Sequence, residues 1–505
     1  MKILNNYLSI AEFEAVIFNK EEISISDMVY QKVNESYIFL KEFSSEKIIY
    51  GVNTGFGPMA QYKIEKEQQI QLQYNLIRSH ASGTGQPLSE QQAKAAVLAR
   101  MNSLSLGNSG VDFSVIELMK ELINRDITPL IFSHGGVGAS GDLVQLAHLA
   151  LVLIGEGEVF YKGERRATKE VFELENLNPM SVSLREGLSL MNGTSVMTGI
   201  GIINLINAKK LIDWSLKISC AINEMVAAYD DHFSEELNAA KLHKGQQEVA
   251  ARMREHLKDS QLIRKRDKHL YSGEIQEKVF KDKVQEYYSI RCVPQILGAV
   301  LDTVNYVEQV LENELNSAND NPIVDLKTKQ VYHGGNFHGD YISLEMDKLK
   351  IVITKLTMLA ERQLNYLLNS KINEIFPPFV NLGTLGFNFG MQGAQFTATS
   401  TTAESQMLSN PMYVHSIPNN NDNQDIVSMG TNSALITAKV IENAFEVLSV
   451  HFITVVQAIE YLKCQDKLST KTRETYTEIR KIVPMFKEDQ VLYPYIQQVK
   501  DYLSN

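Results

Sequence analysis

The segment from Ala434 to Leu462 contains neither proline nor glycine, and it is long enough for one helix to span a whole domain. A second segment, from Ile342 to Leu367, carries apolar residues at spacings of three and four, which lie on one face of a helix. A third long segment runs from Gly199 to Ala228. The sequence therefore predicts a mostly α protein built on a bundle of long helices. Helices longer than about 25 residues also favour oligomerisation.

The composition of the chain favours a protein that binds small molecules. The chain of 505 residues carries 49 Lys and Arg against 60 Asp and Glu, for a net charge of −11, whereas a dedicated nucleic-acid binder presents a basic face. Hydrophobic residues make up 44% of the chain, which is enough to bury a large core without cross-links. We therefore expect a soluble protein that handles small molecules and has no nucleic-acid partner.

The cysteines and the apolar stretches predict a cytoplasmic protein without a membrane partner. Cys220, Cys292 and Cys464 are far apart and odd in number, which excludes a disulfide scaffold and a Cys-x-x-Cys metal site. The N-terminal residues lack the apolar core and the cleavage site of a signal peptide. The longest apolar stretch, Leu143–Gly155, is too short to span a membrane.

The eleven histidines form no metal-binding motif. No His-Glu-x-x-His pattern is present, and His333 and His338 lie in a glycine-rich segment without further ligands at metal spacing. No nucleotide-binding motif is visible either. We expect neither a metal nor a nucleotide cofactor.

Six short breaks rich in glycine or asparagine separate the periodic segments, and several lead directly into a helix. Such a break places free backbone N–H groups, with the partial positive charge of a helix N-terminus, next to polar side chains. Several N-termini that converge on one point would favour negative charge that develops there. The six breaks are Tyr50–Pro58, Gly135–Asp142, Met191–Ser195, Asn316–Pro322, Gly334–Gly339 and Asn419–Gly430.

The break with the sharpest composition is Gly135–Asp142, GGVGASGD, in which four glycines surround the pair Ala139-Ser140. Glycine permits tight turns, so a flexible turn with Asp142 as a helix cap is the simplest interpretation. A phosphate-binding loop is a second interpretation, but the lysine of a P-loop and the βαβ context of a dinucleotide loop are missing.

A third interpretation comes from resemblance. The tripeptide Ala139-Ser140-Gly141 is similar to the one that cyclises in histidine, phenylalanine and tyrosine ammonia-lyases. The resemblance implies a 4-methylidene-imidazol-5-one group (MIO), which forms when the Gly141 nitrogen attacks the Ala139 carbonyl and two waters are lost. Ser140 supplies the hydroxyl that is eliminated, and the product is an electrophilic alkene. Small neighbouring residues allow the bend that ring closure needs.

Six further segments resemble the same family in the same order, so the resemblance covers nearly the whole chain. They are YGVNTGFG, LQYNLIRSHASGTG, EGLSLMNGT, QEYYSIRCVPQ, GNFHG and NNNDNQDIVSMG. Besides the tripeptide, the resemblance implies the site residues Tyr50, Ser79, His80, Asn192, Gln285, Tyr288, Arg291, Phe337, Asn420, Asn423 and Gln424.

The resemblance also implies the architecture. It indicates the mostly α, long-helix bundle of the ammonia-lyases, a fumarase- and aspartase-like fold, with a smaller N-terminal domain that carries the MIO. We expect residues 1–200 to form that domain with a lid loop at Tyr50, residues 201–462 the central bundle, and residues 463–505 a C-terminal helical segment. The family's homotetramer, with active sites shared between subunits, is expected as well.

Elimination of ammonia from an aromatic amino acid faces a poor leaving group and a weakly acidic β-hydrogen. The resemblance implies that the electrophile at Ser140 captures the amine or, in an older proposal, the ring. It makes Tyr50 the base, and a phenol that ordinarily titrates near 10 needs nearby donors or helix dipoles for that work at neutral pH. Arg291 suits the substrate carboxylate, because guanidinium is a planar, two-donor fork.

Three further roles follow from the resemblance. Tyr288, three residues before Arg291, falls on the same face if the segment is helical, and the resemblance implies a part in proton handling. Asn192 holds the MIO oxygen or the substrate amine and carboxylate, although an asparagine at a helix start also serves as an ordinary cap. Phe337 packs against the MIO ring.

Two positions decide between substrates, and they disagree. Ser79-His80 resembles the pair found in histidine ammonia-lyases, whereas Gln424 replaces their glutamate and resembles the phenylalanine and tyrosine enzymes. An imidazole ring that loses a charged partner loses roughly 1.5–3 kcal/mol, so Gln424 carries more weight. We therefore expect a tyrosine ammonia-lyase that yields trans-4-coumarate. The alternatives are a histidine ammonia-lyase that yields urocanate, an MIO aminomutase, and a non-catalytic helical scaffold.

Overall fold

The computed structural model describes residues 2–5, 7–271, 278–280 and 283–505. The structure is 60% helical, with long helices, which confirms the predicted fold class. The helices, numbered in chain order, are α1 (Ile10–Phe18), α2 (Asp27–Phe43), α3 (Gln69–His80), α4 (Glu90–Ser105), α5 (Phe113–Asn124), α6 (Leu143–Leu153), α7 (Thr168–Glu175), α8 (Glu186–Met191), α9 (Ser195–Met225), α10 (Glu235–Ala239), α11 (Lys244–Leu257), α12 (Arg266–His269), α13 (Tyr288–Arg291), α14 (Val293–Leu315), α15 (Asp340–Leu368), α16 (Ser370–Asn373), α17 (Gln392–Leu408), α18 (Gly430–Leu462), α19 (Thr470–Ile482) and α20 (Tyr493–Ser504).

The strands of the described residues are short and form four small sheets. β1 pairs with β2 in parallel, β3 with β5, β6 with both β4 and β7, and β8 with β9, all antiparallel. Their bounds are β1 (Lys2–Leu4), β2 (Ile23–Ile25), β3 (Thr84–Pro87), β4 (Thr128–Pro129), β5 (Phe132–His134), β6 (Glu158–Tyr161), β7 (Glu164–Ala167), β8 (Ile323–Asp325) and β9 (Gln330–Tyr332).

The three periodic segments of the sequence correspond to the long helices α9, α15 and α18. The stripe predicted along α15 is buried: Met346, Leu349, Ile353 and Leu356 are all 0% exposed. Full burial of such a side chain contributes about 1.5–3 kcal/mol, so these side chains anchor α15 in the core.

The sequence did not predict a fourth long helix, α14, whose beginning contains Pro294 and Gly298. Proline is tolerated in the first turn of a helix, where its missing N–H has no helical partner. Gly298 is required by packing, because a Cβ there would lie 2.5 Å from the Cα of Gln246 in α11.

The chain groups into two compact units, each made of several segments. Unit 1 comprises residues 1–206, 307–347 and 411–438, and unit 2 comprises residues 207–306, 348–410 and 439–505. Each unit brings together segments that are far apart in the chain. The division into three consecutive domains stays a prediction.

Helix α18 is long and apolar enough to cross a membrane, with a mean hydropathy of 1.4 in its most apolar part. Within the structure, 78% of that part is buried, as in the core helix of a globular protein. Length and composition therefore give only weak evidence for a membrane span.

Candidate active site

The loop Gly135–Asp142 connects β5 to α6 in unit 1, and close backbone contacts fix its end. Gly141 has a φ of +69°, and a Cβ there would lie 1.9 Å from the carbonyl oxygen of Gly193. The Asp142 N–H donates to that same carbonyl at 2.8 Å. Only glycine fits at position 141, since any side chain would collide with the neighbouring backbone.

The beginning of the loop is held by residues from two other breaks. The Gly138 carbonyl accepts hydrogen bonds from the Gly339 N–H and from the Ser428 hydroxyl, each at 3.0 Å. The Met429 N–H donates to the Val137 carbonyl at 2.9 Å. The tripeptide Ala139-Ser140-Gly141 is therefore suspended between two fixed ends.

Two of the predicted site residues contact Ser140 directly. The Asn192 amide nitrogen donates to the Ser140 carbonyl at 3.1 Å, and the Gln424 amide nitrogen donates to the Ser140 hydroxyl at 2.9 Å. Ala139 is buried and Ser140 is half-buried. The Asn192 side-chain oxygen is buried without a hydrogen-bond partner in the described part of the chain, so it is an acceptor available to a bound molecule.

Three helix N-termini meet beside this loop at Asp142. Helix α6 begins directly after Asp142. One carboxylate oxygen of Asp142 accepts from the N–H groups of Val196 and Met197, at 2.9 and 3.0 Å, in the first turn of α9. The other oxygen accepts from the Thr431 hydroxyl in the first turn of α18. The positive ends of three helix dipoles therefore converge next to Ser140, where they favour negative charge.

The buried carboxyl group of Asp142 should make the free energy of unfolding depend on pH. Burial raises the pKa of Asp142 to about 6 from an ordinary value of 3.8, although the hydrogen bonds to its carboxylate act in the opposite direction. Between these values the folded state binds more protons than the unfolded state, so the contribution of Asp142 to stability is full below about pH 4 and declines until about pH 6.

We therefore expect the free energy of unfolding of the wild type, minus that of Asp142→Asn, to fall by about 3 kcal/mol across this window. Urea unfolding of both proteins at a series of pH values measures the difference. Asp27→Asn, which removes an exposed carboxylate from the start of α2, controls for the general effect of charge. A difference that stays constant from about pH 4 to about pH 7 would contradict the burial argument.

The predicted lid residue Tyr50 lies in a loop that reaches the same region. The Gly57 N–H donates to the Tyr50 hydroxyl at 3.0 Å, and the Tyr50 N–H donates to Nε2 of His333 at 3.3 Å. A Cβ at Gly57 would lie 2.9 Å from the Asn420 amide nitrogen. The Tyr50 loop therefore touches the segment that carries Gln424.

The segment around Gln424 is a tight turn. Asn420 has a φ of +55°, in the left-handed region that asparagine tolerates better than most residues, and its carbonyl accepts from the Asn423 N–H at 3.2 Å. Asn419 and Gln424 exchange two backbone hydrogen bonds. This turn orients the Gln424 side chain toward Ser140.

The pair Ser79-His80 ends helix α3, which packs against α6 and α8. Nδ1 of His80 lies 3.0 Å from the Leu76 carbonyl oxygen, which can only accept. Nδ1 also lies 3.0 Å from the Ser79 hydroxyl, which can donate or accept, so the contacts fit either tautomer. In the tautomer that donates from Nδ1 to Leu76, Nε2 is an acceptor. Just beyond α3, Thr84 of β3 pairs with His134, the residue before the Gly135–Asp142 loop.

Phe337 is half-buried in the loop Gly334–Gly339, whose last residue contacts Gly138. Gln285, Tyr288 and Arg291 lie in unit 2. The Arg291 guanidinium donates to the Gln285 side-chain oxygen and lies 4.7 Å from the centre of the Tyr288 ring, and Tyr288 is 70% exposed. The predicted residues therefore form one group in unit 1 and a second, mutually contacting group in unit 2.

Sequence reasoning missed Gly193 as a contact of the tripeptide and Ser428 as a contact of Gly138, and it gave Asp142 a role only as a helix cap. Gly193 directly follows Asn192, and Asp142 directly follows Gly141, so adjacency in sequence was the available signal. Ser428 has no such signal, because its contact with Gly138 spans 290 positions in the chain.

A long-helix fold and an Ala-Ser-Gly loop held between rigid backbone contacts define a class of carbon–nitrogen lyases that make their electrophile from their own chain. The chain belongs to the family described as aromatic amino acid lyase, whose model matches residues 8–481. It is 38% identical to the histidine ammonia-lyase of Bacillus velezensis over 98% of this chain and 94% of that one.

Two further comparisons have different activities in their names. The chain is 37% identical to the tyrosine 2,3-aminomutase of Chondromyces crocatus over 100% of this chain and 96% of the other. It superposes with a TM-score of 0.96 on the phenylalanine aminomutase of Pantoea agglomerans, at 33% identity, over 100% and 98% of the two chains. The family relation therefore establishes an aromatic amino acid lyase or aminomutase, and it leaves the substrate open.

This family uses the autocatalytically formed MIO group, and the residues of the loop fit it. Position 141 admits only glycine, and Asn192 contributes an unpartnered buried oxygen beside Ser140. Within the described ranges, no group of three or more His, Cys, Asp and Glu residues is arranged to hold a metal ion.

Proposed function

We propose that this enzyme is a tyrosine ammonia-lyase, which eliminates ammonia from L-tyrosine and yields trans-4-coumarate. The observation that carries the proposal is the position of His80, whose Nδ1 lies 3.0 Å from the Leu76 carbonyl oxygen. In the tautomer that donates from Nδ1 to this carbonyl, Nε2 is an acceptor, which is the partner that a phenol O–H needs. A site built to accept from the phenol disfavours phenylalanine, because the acceptor would then stay unpaired.

Gln424 supports the choice of tyrosine over histidine. Its amide nitrogen donates to the Ser140 hydroxyl, so this side chain lies at the reacting residue. A neutral amide offers no charged partner to an imidazole ring, and a glutamate at this place would. Tyrosine brings a neutral ring and requires no such charge.

The remaining residues divide the work of elimination. The MIO supplies an electrophile for the substrate. Tyr50 removes the β-proton, and Tyr288 takes part in proton handling. Arg291 binds the carboxylate through its planar fork. The unpartnered oxygen of Asn192 accepts a hydrogen bond from the α-amine, which relieves the cost of burying that acceptor alone.

The remaining predicted residues shape the binding site. Phe337 packs against the MIO ring, and Ser79 lines the ring pocket beside His80. Gln285 orients Arg291 through the hydrogen bond between their side chains. Asn420 and Asn423 maintain the turn that carries Gln424.

A second candidate is a tyrosine 2,3-aminomutase, which returns the amine to the β-carbon. The 37% identity to the Chondromyces crocatus enzyme over the whole chain favours it. Both reactions begin with the same elimination and differ in whether the product leaves before ammonia adds again. A lid that holds the product longer favours the mutase.

The test is a parallel assay of purified protein with tyrosine, phenylalanine and histidine. Ultraviolet absorbance follows each conjugated acid, and chromatography of the amino acids detects a β-amino product. Coumarate as the main product from tyrosine supports the proposal. Urocanate from histidine as the main activity would refute it, and β-tyrosine as the main product would establish the mutase.

His80→Phe separates recognition of the phenol from general damage to the site. We expect kcat/KM for tyrosine to fall about 100-fold or more, because the phenol loses its acceptor, while the value for phenylalanine changes less than about threefold. Steady-state kinetics with both substrates measures the ratio. His243→Phe, at an exposed histidine before α11, is the control and leaves the ratio unchanged. Equal losses on both substrates would show that His80 does not bind the hydroxyl.

We also propose a homotetramer with shared active sites. Unit 2 exposes Leu385, Phe387, Phe389 and Phe396 to between 59 and 73% of their surface. Apolar groups clustered in one exposed segment are typical of an interface. The proposed cytoplasmic location, without membrane or nucleic-acid partners, rests on the composition of the chain.

Sharing of active sites predicts complementation between inactive variants. If one chain supplies Ser140 and another supplies Arg291, then co-expressed Ser140→Ala and Arg291→Ala chains regain activity, because some sites receive both native residues. Each variant expressed alone is the control. Purified mixed tetramers no more active than either parent would indicate that a single chain builds the whole site.

A further inference from the structure

Arg100, in helix α4 of unit 1, is fully buried beside the segment that carries Asn192. One of its terminal nitrogens donates to the Asn192 carbonyl at 2.9 Å and also to the Ser189 carbonyl. The other donates to the Asn319 side-chain oxygen at 3.0 Å. Its guanidinium therefore holds the carbonyl groups at the end of α8, where a helix carries partial negative charge.

Arg100 also touches the residue that follows. A Cβ at Gly193 would lie 2.2 Å from an Arg100 nitrogen, so the guanidinium packs directly on the Gly193 backbone. The Gly193 carbonyl accepts from the Asp142 N–H, and the Asn192 amide donates to the Ser140 carbonyl. Arg100 therefore binds the backbone of Asn192 and Gly193, the two residues whose hydrogen bonds hold the end of the tripeptide.

Within the described residues, the Arg100 guanidinium donates to two carbonyls and an amide oxygen, and to no carboxylate. Burial lowers the pKa of Arg100 to about 10, and the charge of Arg185 acts in the same direction, while Asp320 and Asp142 partly offset these effects. The side chain remains protonated at neutral pH. Burial of a cation costs free energy. A neutral side chain at this position has fewer N–H donors, so it would bind fewer carbonyls.

We propose that Arg100 is a positioning residue, which fixes the Ser189–Gly193 segment so that Asn192 and Gly193 hold the tripeptide in the geometry required for MIO formation and for turnover. Its effect on turnover rests on the proposed reaction with tyrosine, whereas its effect on MIO formation does not. A lysine at this position has the charge but lacks the fork, so it cannot hold both carbonyls and Asn319 in the same geometry.

Arg185 provides a matched control. It is the residue before α8, it is also 0% exposed, and its guanidinium binds the Ser109 and Pro322 carbonyls and Asp320. Its side chain therefore secures the beginning of the same helix, and in the described part of the chain its hydrogen bonds go to groups outside the Ser189–Gly193 segment. Arg185→Lys reports the general cost of altering a buried arginine beside α8.

The experiment compares the wild type with Arg100→Lys, Arg100→Met and Arg185→Lys. Intact mass under denaturing conditions gives the fraction of chains lighter by two waters, and kcat and KM are normalised to that fraction. For Arg100→Lys we expect a reduced lighter fraction and a normalised kcat at least about tenfold lower, with KM changed less than about threefold. For Arg100→Met we expect almost no lighter species. Arg185→Lys keeps the full lighter fraction and the wild-type kcat.

Each outcome bears on the proposal. An Arg100→Lys protein with the wild-type lighter fraction and normalised kcat would overturn it. Losses in Arg185→Lys equal to those in Arg100→Lys, with similar thermal midpoints for the two variants, would also overturn it. Such a result would show the general cost of altering a buried arginine beside α8. If Arg100→Met does not fold, Arg100→Lys alone decides. A wild type that is lighter by two waters but inactive on tyrosine refutes the proposed substrate and leaves the mass test intact.

Discussion

Ser140→Ala is expected to remove the activity on tyrosine, with a loss on the order of 10³-fold or more, equivalent to about 4 kcal/mol of activation free energy. Alanine has no hydroxyl to eliminate, so the MIO alkene cannot form and the poor leaving group of the substrate meets no electrophile. The measurements are kcat for coumarate formation and the intact mass, which should equal the mass calculated from the sequence.

The fold of this variant should remain intact. In the uncyclised chain the Ser140 hydroxyl accepts one hydrogen bond, from Gln424, so alanine at this half-buried place costs the precursor about 1 kcal/mol. Ser133→Ala, in the neighbouring strand β5, is the control and keeps both the two-water mass loss and the activity. A fully active Ser140→Ala protein with the uncyclised mass would exclude MIO chemistry in this enzyme.

Tyr50→Phe should have the second-largest effect, with kcat about 10²–10⁴-fold lower, which is the usual contribution of a general base. The change removes only the hydroxyl, and the ring stays available to pack edge-on against Phe56 at 6.1 Å. The Gly57 N–H loses its acceptor, so the loop is weakened at one point. Because the base acts in the chemical step, kcat should fall more than KM changes.

The control for this variant lies in the same region of the chain. Tyr62→Phe removes the hydroxyl of a tyrosine that is 68% exposed, and we expect kcat within about twofold of the wild type. The two-water mass loss should be complete in both variants, because neither residue belongs to the tripeptide. A Tyr50→Phe enzyme that retains a tenth or more of the wild-type kcat would assign proton removal to another group, with Tyr288 the next candidate.

The sequence predicted the helical core well because that core follows from local periodicity. In α15 the apolar residues recur every three or four positions, and the side chains at those positions are buried. Helix α14 was not predicted, because proline and glycine have low helix propensity. Its Pro294 lies in the first turn, and its Gly298 is needed for contact with Gln246, which no local pattern reveals.

The site divided in the same way. The tripeptide and its flanking glycines lie together in the chain, so the sequence predicted the tight turn that they form. The family relation confirmed the cofactor. The predicted site residues outside the tripeptide remain proposals, although Asn192 and Gln424 do contact Ser140. The domain boundaries also remain predictions.

The sequence by itself determined three of the long helices and the Ala-Ser-Gly loop, because each depends on residues close together in the chain. Its resemblance to a known family, spread over nearly the whole chain, determined the class of chemistry. Only the tertiary structure decided that three helix N-termini meet near Asp142 and that Arg100 binds the carbonyls of Ser189 and Asn192. A buried charge or carbonyl takes whichever partner the packed helices bring within hydrogen-bond distance. That partner can lie hundreds of residues away, so local sequence does not specify it.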